Sequence, residues 1–125
     1  MKVLTIKQPW ASLIIEGYKR FEFRSWKTNY RGELLIHAGK SIDKEAYERL
    51  KGYLKEMPLG KIIGKVELVD CIRTTPEFFR ERVKEENKDI YQKSIFKEDY
   101  AWKVELRVKF DNPIEIKGKL GLWNY

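Results

Sequence analysis

The residues best suited to chemistry lie together in Gly17-Tyr18-Lys19-Arg20-Phe21-Glu22-Phe23-Arg24-Ser25-Trp26. Successive side chains of an extended strand point to opposite faces. From Phe21 onward, Phe21 and Phe23 therefore share one face, and Glu22, Arg24 and Trp26 share the other. Lys19 has the wrong parity and joins Glu22 and Arg24 only from the turn after Gly17, before the strand's phase begins. Such a set has a rationale. Arg24 offers a planar fork for phosphate and Lys19 a point charge, while Glu22 can orient either of them or accept from a base amine. Trp26 offers a stacking face. The same spacing also fits a plain ion pair between Glu22 and Arg24 or Arg20 at the rim of a sheet, and spacing alone leaves both readings open.

Those faces exist only if the flanking chain builds them. Residues 2–7 alternate Val3 and Thr5 with Leu4 and Ile6 and predict a first strand, stopped at Gln8-Pro9. Pro9 suits the first position of a helix, where no amide donor is needed, and Trp10, Leu13 and Ile14 then share a face until Gly17. Strands are predicted over 21–26 and 33–38. Asp43 can cap a helix whose apolar positions run from Ala46 to Met57, until Pro58 and Gly60 stop it. Residues 61–73 read as a long strand with Asp70 in the apolar phase and Gly64 allowing a bulge or close packing. Thr75-Pro76 opens a helix through Phe78, Phe79 and Val83, followed by a solvated loop over 85–89. Tyr100 to Phe110 alternates apolar and charged residues and predicts a strand with one buried face. The tail, with Ile114, Ile116, a turn at Gly118 and the apolar cluster Leu120, Leu122, Trp123 and Tyr125, is expected to close the sheet. Six strands interrupted by three short helices favour an α+β fold, a small and mostly antiparallel β-barrel, over a parallel α/β architecture.

Composition narrows the class. With 42% hydrophobic and 36% charged residues, the 125-residue chain is rich enough in apolar groups for one folded domain, 1–125, and is not a disordered tail. The apolar run Leu13-Ile14-Ile15 falls far short of the roughly 20 residues of a spanning helix, so no membrane association is expected. The opening MKVLTIKQPW has no signal-peptide core, and the single Cys71 cannot form an internal disulfide. A cytoplasmic protein is expected. One cysteine and one histidine, His37, cannot supply a structural zinc site or a catalytic triad, and no Gly-rich phosphate loop occurs, so no metal or cofactor is expected. The net charge of +7 is unevenly spread: residues 1–40 hold eight basic and three acidic residues, whereas 41–125 hold eighteen and sixteen. A basic bias in the first third fits a footprint for phosphates, and fits a solvated surface as well.

The run Gly17-x-Lys19-x-x-Glu22-x-Arg24 resembles the signature of the ASCH domains, named for homology to the activating signal cointegrator, in the PUA-like superfamily. Leu4-Thr5-Ile6, Gln8-Pro9-Trp10-Ala11-Ser12-Leu13, Arg24-Ser25-Trp26, Arg31-Gly32, Val69-Asp70-Cys71 and Gly121-Leu122-Trp123 are similar to the cointegrator branch, so the resemblance covers nearly the whole chain. It implies a PUA-like barrel whose cleft, between barrel and helices, is lined by the signature residues, and an association with RNA metabolism and transcriptional coactivation. Some relatives are amidohydrolases acting on acetylated cytidine, and others have been proposed as ribonucleases. In the amidohydrolases a Thr stands where this chain has Glu22, and a carboxylate does not take over a hydroxyl's role.

Read together, these observations predict a binding module for nucleic acid, RNA first, or a nucleotide-like ligand. Lys19 and Arg24 would meet phosphate, Glu22 and Gln8 a base edge, and Trp26 or Tyr30 a stacked base, with Pro9, Trp10, Arg31 and His37 also in the ligand site. His37, in phase with Leu35, is either a satisfied buried histidine or a cleft residue on a strand beside Glu22. Asp70 is either a hydrogen-bonded core acid or a second cleft carboxylate. The rival is a nucleoside-directed hydrolase with Lys19 as base or nucleophile and Glu22 as its acid/base partner. A protein-interaction domain is a third reading. The sequence leaves the oligomeric state open.

Overall fold

The computed structural model describes residues 1–81, 88–91 and 99–125. Strand β1 (Lys2–Gln8) leads through Pro9 into helix α1 (Trp10–Ile15). Pro9 stands just before the helix rather than inside it, after a cis peptide bond, and its carbonyl accepts from the Leu13 amide at 3.0 Å. Gly17 then takes φ +86°. In this left-handed cap the amides of Gly17 and Tyr18 return to the carbonyls of Ile14 and Leu13, and the Lys19 amide also reaches Leu13. The turn aims Lys19 before β2 (Phe21–Arg24) begins. This strand is shorter than expected, and Ser25 and Trp26 lie beyond its end.

Strand β3 (Gly32–Ile42) is followed by α2 (Lys44–Leu50), which Asp43 caps by accepting from the Ala46 amide at 3.1 Å. A 3-10 turn, Lys51–Tyr53, ends the helix earlier than the apolar spacing to Met57 predicts. Strand β4 (Lys61–Arg73) has the expected bounds. Thr75 Oγ1 accepts from the Phe78 amide at 3.1 Å and caps α3 (Pro76–Glu81). Lys88 and Asp89, expected in a loop, open the short helix α4 (Lys88–Tyr91). Val83 and the rest of that predicted loop, 85–87, lie outside the described residues. Strand β5 (Tyr100–Glu115) runs on through Pro113, and β6 (Leu122–Asn124) follows. No helix among the described residues is long and apolar enough to cross a membrane.

The strands form one sheet in the order β2-β5-β4-β3-β1-β6. Only β1 and β3 run parallel; the other pairs are antiparallel. The tail does not close the sheet, because β6 pairs with β1 at its edge and the hydrogen-bonded ladder stays open between β6 and β2. Curl supplies the barrel-like shape instead. It brings β2 back to β1, where Arg24 Nη2 donates to the Thr5 carbonyl at 2.8 Å. Helix α1 covers the concave side, with Ala11, Ile14 and Ile15 packed on Leu4, Ile36 and Trp102. Gly64 is required there: a Cβ would lie 2.5 Å from the Val108 carbonyl oxygen and 2.7 Å from Ile15. A second cluster joins Phe21, Phe23, Leu50, Phe78 and Tyr91, with the aromatic rings edge-to-face.

Two expectations about side-chain phase fail. On β5, Ala101 and Trp102 are both buried because each face is covered at that end, by the second and first clusters respectively. Further along, Leu106 and Val108 are 41% and 43% exposed. On β4 the register slips between Leu68 and Asp70. Asp70 is consequently exposed, neither a core acid nor a cleft carboxylate, and it pairs loosely with Arg31 at 3.8 Å.

Candidate functional site

The curl opens a cleft of about 1120 Å³ between β1, β2, β3 and the chain leading from β5 to β6. On its floor, β2's alternation works as the sequence predicts. Phe21 and Phe23 enter the aromatic cluster, Phe23 also bordering the cleft beneath Lys19, and Glu22 and Arg24 emerge on the opposite side. Lys19 joins them from the Gly17 turn, its Nζ 2.5 Å from Glu22 Oε1, while Arg24 Nη2 lies 3.1 Å from Glu22 Oε2. Lys19 is 3% exposed and Glu22 7%. Its ammonium also sits 5.3 Å from the centre of the Trp10 ring and 5.9 Å from that of Phe23. Burial pushes the Glu22 carboxyl's pKa up, but the charges of Lys19 and Arg24 and their hydrogen bonds outweigh it and hold the group below the ordinary carboxylate value. Glu22 is therefore an anion at neutral pH, able to accept but not to donate a proton. Each carboxylate oxygen has two lone pairs, so the two ion pairs leave acceptor capacity for a ligand.

The walls hold Trp10 and His37. Trp10 Nε1 donates to Asp43 Oδ2 at 3.3 Å, which ties the indole over Lys19 to the helix cap of α2. His37 does not neighbour Glu22 in the sheet, since β5 and β4 lie between β2 and its own strand β3; it reaches the cleft through the curl. It is both buried and part of the wall. Its Nε2 lies 2.7 Å from the Ile116 carbonyl, and that acceptor places the proton on Nε2. Among the described residues Nδ1 is buried without a hydrogen-bond partner, as is Arg24 Nε on the same cleft. Trp26 flanks the floor beyond the end of β2, 36% exposed, with its ring edge-on to the buried Trp102 at 4.7 Å.

Four residues expected at the site stand away from it. Gln8 is fully buried, its Oε1 accepting from the Ser12 amide and its Nε2 donating to Ser12 Oγ and the Pro58 carbonyl, and Pro9 is buried beside it. Tyr30 donates its hydroxyl to the Glu33 carbonyl, and Arg31 is engaged with the carbonyls of Thr28 and Tyr30 and with Asp70. None of the four lines the cleft. In their place the structure adds Thr5, Lys7, Lys40 and a strap, residues 116–121. Only the Lys/Gly alternation of Lys117-Gly118-Lys119 hinted at that strap. Among the described residues no group of three or more His, Cys, Asp or Glu side chains could hold a metal ion.

Comparison with known proteins bears on the family and the fold. The ASCH domain family profile matches residues 4–117. The chain belongs to the ASCH domain family. It is 35% identical to human activating signal cointegrator 1 and 34% identical to the mouse protein, over 134 aligned positions that take in 96% of this chain. The chain spans 21% of the length of those relatives. Among solved structures, the ASCH protein of Zymomonas mobilis superposes with a TM-score of 0.57 at 18% identity, over 91% of this chain and 72% of that one. A mutant of the same protein reaches 0.60 at 16% identity, over 91% and 74%. The likeness to these structures shows that the chain shares the fold of an ASCH protein.

Proposed function

We propose that residues 1–125 act as one ASCH domain that binds nucleic acid, RNA first, or a nucleotide-like ligand in this cleft. The observation that carries the reading is the division of charge between floor and rim. The cleft wall counts six basic side chains, Lys7, Lys19, Arg24, Lys40, Lys117 and Lys119, against three acidic ones, Glu22, Asp43 and Glu115. Lys19 and Arg24 share Glu22, so this array keeps one net positive charge and presents fixed donors and an acceptor, the pattern that reads a base edge. The rim lysines are exposed and, among the described residues, have no carboxylate within salt-bridge distance, so they are the groups for phosphate. Trp26 supplies the stacking face. Cleft size supports a ligand of this kind, being slightly larger than the about 300–1,000 Å³ that small-molecule sites occupy. We place the protein in the cytoplasm, where the free thiol of Cys71 persists.

The test is titration of a fluorescent single-stranded RNA at several salt concentrations. Lys7→Ala and Lys40→Ala should each lower the slope of log affinity against log salt by about one, and Glu22→Gln should weaken binding with less change of slope. A parent protein that binds no RNA, DNA or mononucleotide at low salt refutes the reading. The contact between Lys19 and Glu22 also suits the rival, a nucleoside-directed hydrolase. In a binder Lys19→Arg keeps much of the affinity, whereas in an enzyme it abolishes turnover.

A further inference from the structure

The strap, residues 116–121, crosses one side of the cleft from the end of β5 to β6. Its first half is fastened. The Ile116 amide donates to the Gly60 carbonyl at 3.2 Å, and its own carbonyl meets His37 Nε2 at 2.7 Å. Gly118 lies so close to the wall that a Cβ there would stand 2.8 Å from His37 Cε1 and 2.9 Å from Thr5 Oγ1. Beyond the strap, Trp123 Nε1 donates to that same Thr5 Oγ1 at 3.1 Å and β6 pairs with β1. Between these fixed ends the second half stands off the body. Gly121 turns at φ +65° with open space around it. Leu120, at the mouth, is 97% exposed, the most exposed large apolar side chain among the described residues. Lys119 rests its ammonium over the Trp123 ring at 5.7 Å.

A leucine held in water contributes nothing to the domain's own core, and here it is anchored on both sides beside a cleft. Covering it would return the hydrophobic free energy that the fold leaves unused. Its neighbours decide what can cover it. Lys117 and Lys119 precede the leucine on the same strap, and positive charge beside an exposed apolar group matches a strand that offers phosphates beside base faces. We propose that the strap is a gripping arm for a bound single strand: Lys117 and Lys119 contact phosphates, and Leu120 packs on the base next to the one held on the floor. The inference rests on the nucleic-acid reading of the cleft and deepens it, because the arm needs a ligand longer than one nucleotide.

A single-stranded RNA octamer and cytidine 5′-monophosphate, titrated against the parent and strap variants, test it. Leu120→Ser should weaken octamer binding by about five- to tenfold, the loss of a partly buried leucine. It should leave the melting temperature unchanged and weaken mononucleotide binding far less than octamer binding, and Leu120→Met should restore the octamer. Lys117→Ala with Lys119→Ala should lower the octamer's salt slope by about two. If Glu22→Gln weakens the octamer while the strap variants bind like the parent, the arm is refuted and the cleft reading survives. If the parent binds neither probe, both fall together.

Discussion

Replacing Glu22 by Ala should damage the fold more than removing either cation it holds. Glu22 and Lys19 are 7% and 3% exposed, and Glu22 meets Lys19 at 2.5 Å and Arg24 at 3.1 Å. Without the carboxylate two cations face each other in the floor, and the rings of Trp10 and Phe23, 5.3 and 5.9 Å from the ammonium, compensate weakly. Removing one partner of a buried pair costs about 3–5 kcal/mol. For a domain of this size that lowers the melting temperature by roughly 10–25 °C. Lys19→Met removes a buried cation and leaves Glu22 paired with Arg24, a neutral array, so its cost should be well under half as large. Acid offers a second readout. Burial raises the pKa of Glu22, but Lys19 and Arg24 together draw it below the ordinary 4.5, so the folded carboxyl is the stronger acid. Its stabilising contribution is therefore fully present above about pH 4.5 and is lost as pH falls through the lower folded value. Thermal melts followed by circular dichroism from neutral pH downward should show the parent losing stability in that window more steeply than Glu22→Gln. A Glu22→Ala variant that melts within a few degrees of the parent, or a Lys19→Met variant that is equally damaged, refutes the buried array.

Two further outcomes separate the faces of β2 and the two chemical readings. Phe23→Ala removes a ring packed edge-on against Phe78 and Tyr91 and should cost about 3–5 kcal/mol of stability, whereas Trp26→Ala should cost about 1–3 kcal/mol of RNA binding and much less stability; a Trp26 variant that unfolds yet binds normally per folded molecule reverses the assignment. Incubation with acetylcytidine, followed by chromatography, should release no cytidine, because Glu22 is an ionised acceptor already holding two cations rather than a hydroxyl; steady release that Lys19→Ala abolishes overturns this.

Local periodicity made most of the fold legible. The turn at Gly17, the cap at Asp43 and the opposed faces of β2 each depend on residues within a few positions of one another, and the structure has all three. The failures are long-range. The alternation of Leu106 and Val108 resembles that of Trp102 and Val104, and the packing of the first cluster under α1 decides which pair is buried. Asp70 has the parity of a core residue and leaves it through a slip in pairing with β5. Nor can a pattern of period two announce that β2 curls back to β1, a contact made by Arg24 across nineteen positions of sequence.

The site shows the same division, and it changes where the phosphate contacts should be sought. Residue types and parity bring Lys19, Glu22, Arg24 and Trp26 to one cleft, as expected from their spacing. The partners of those charges were legible as alternatives, an approach of Lys19 from the turn after Gly17 and an ion pair of Glu22 with Arg24, and the structure has both at once. Once Glu22 occupies both cations, only one positive charge is left on the floor for the three, and fixed geometry rather than excess charge is what the floor offers a ligand. The cationic excess of the first forty residues thus reaches the cleft through Lys7 and Lys40, and the tail supplies as much again through Lys117 and Lys119. Salt dependence of binding should accordingly follow the rim, whose charges displace counterions from phosphates. Discrimination between bases should follow Glu22, because an ionised acceptor fixed by two hydrogen-bonded cations cannot become a donor to suit the wrong base.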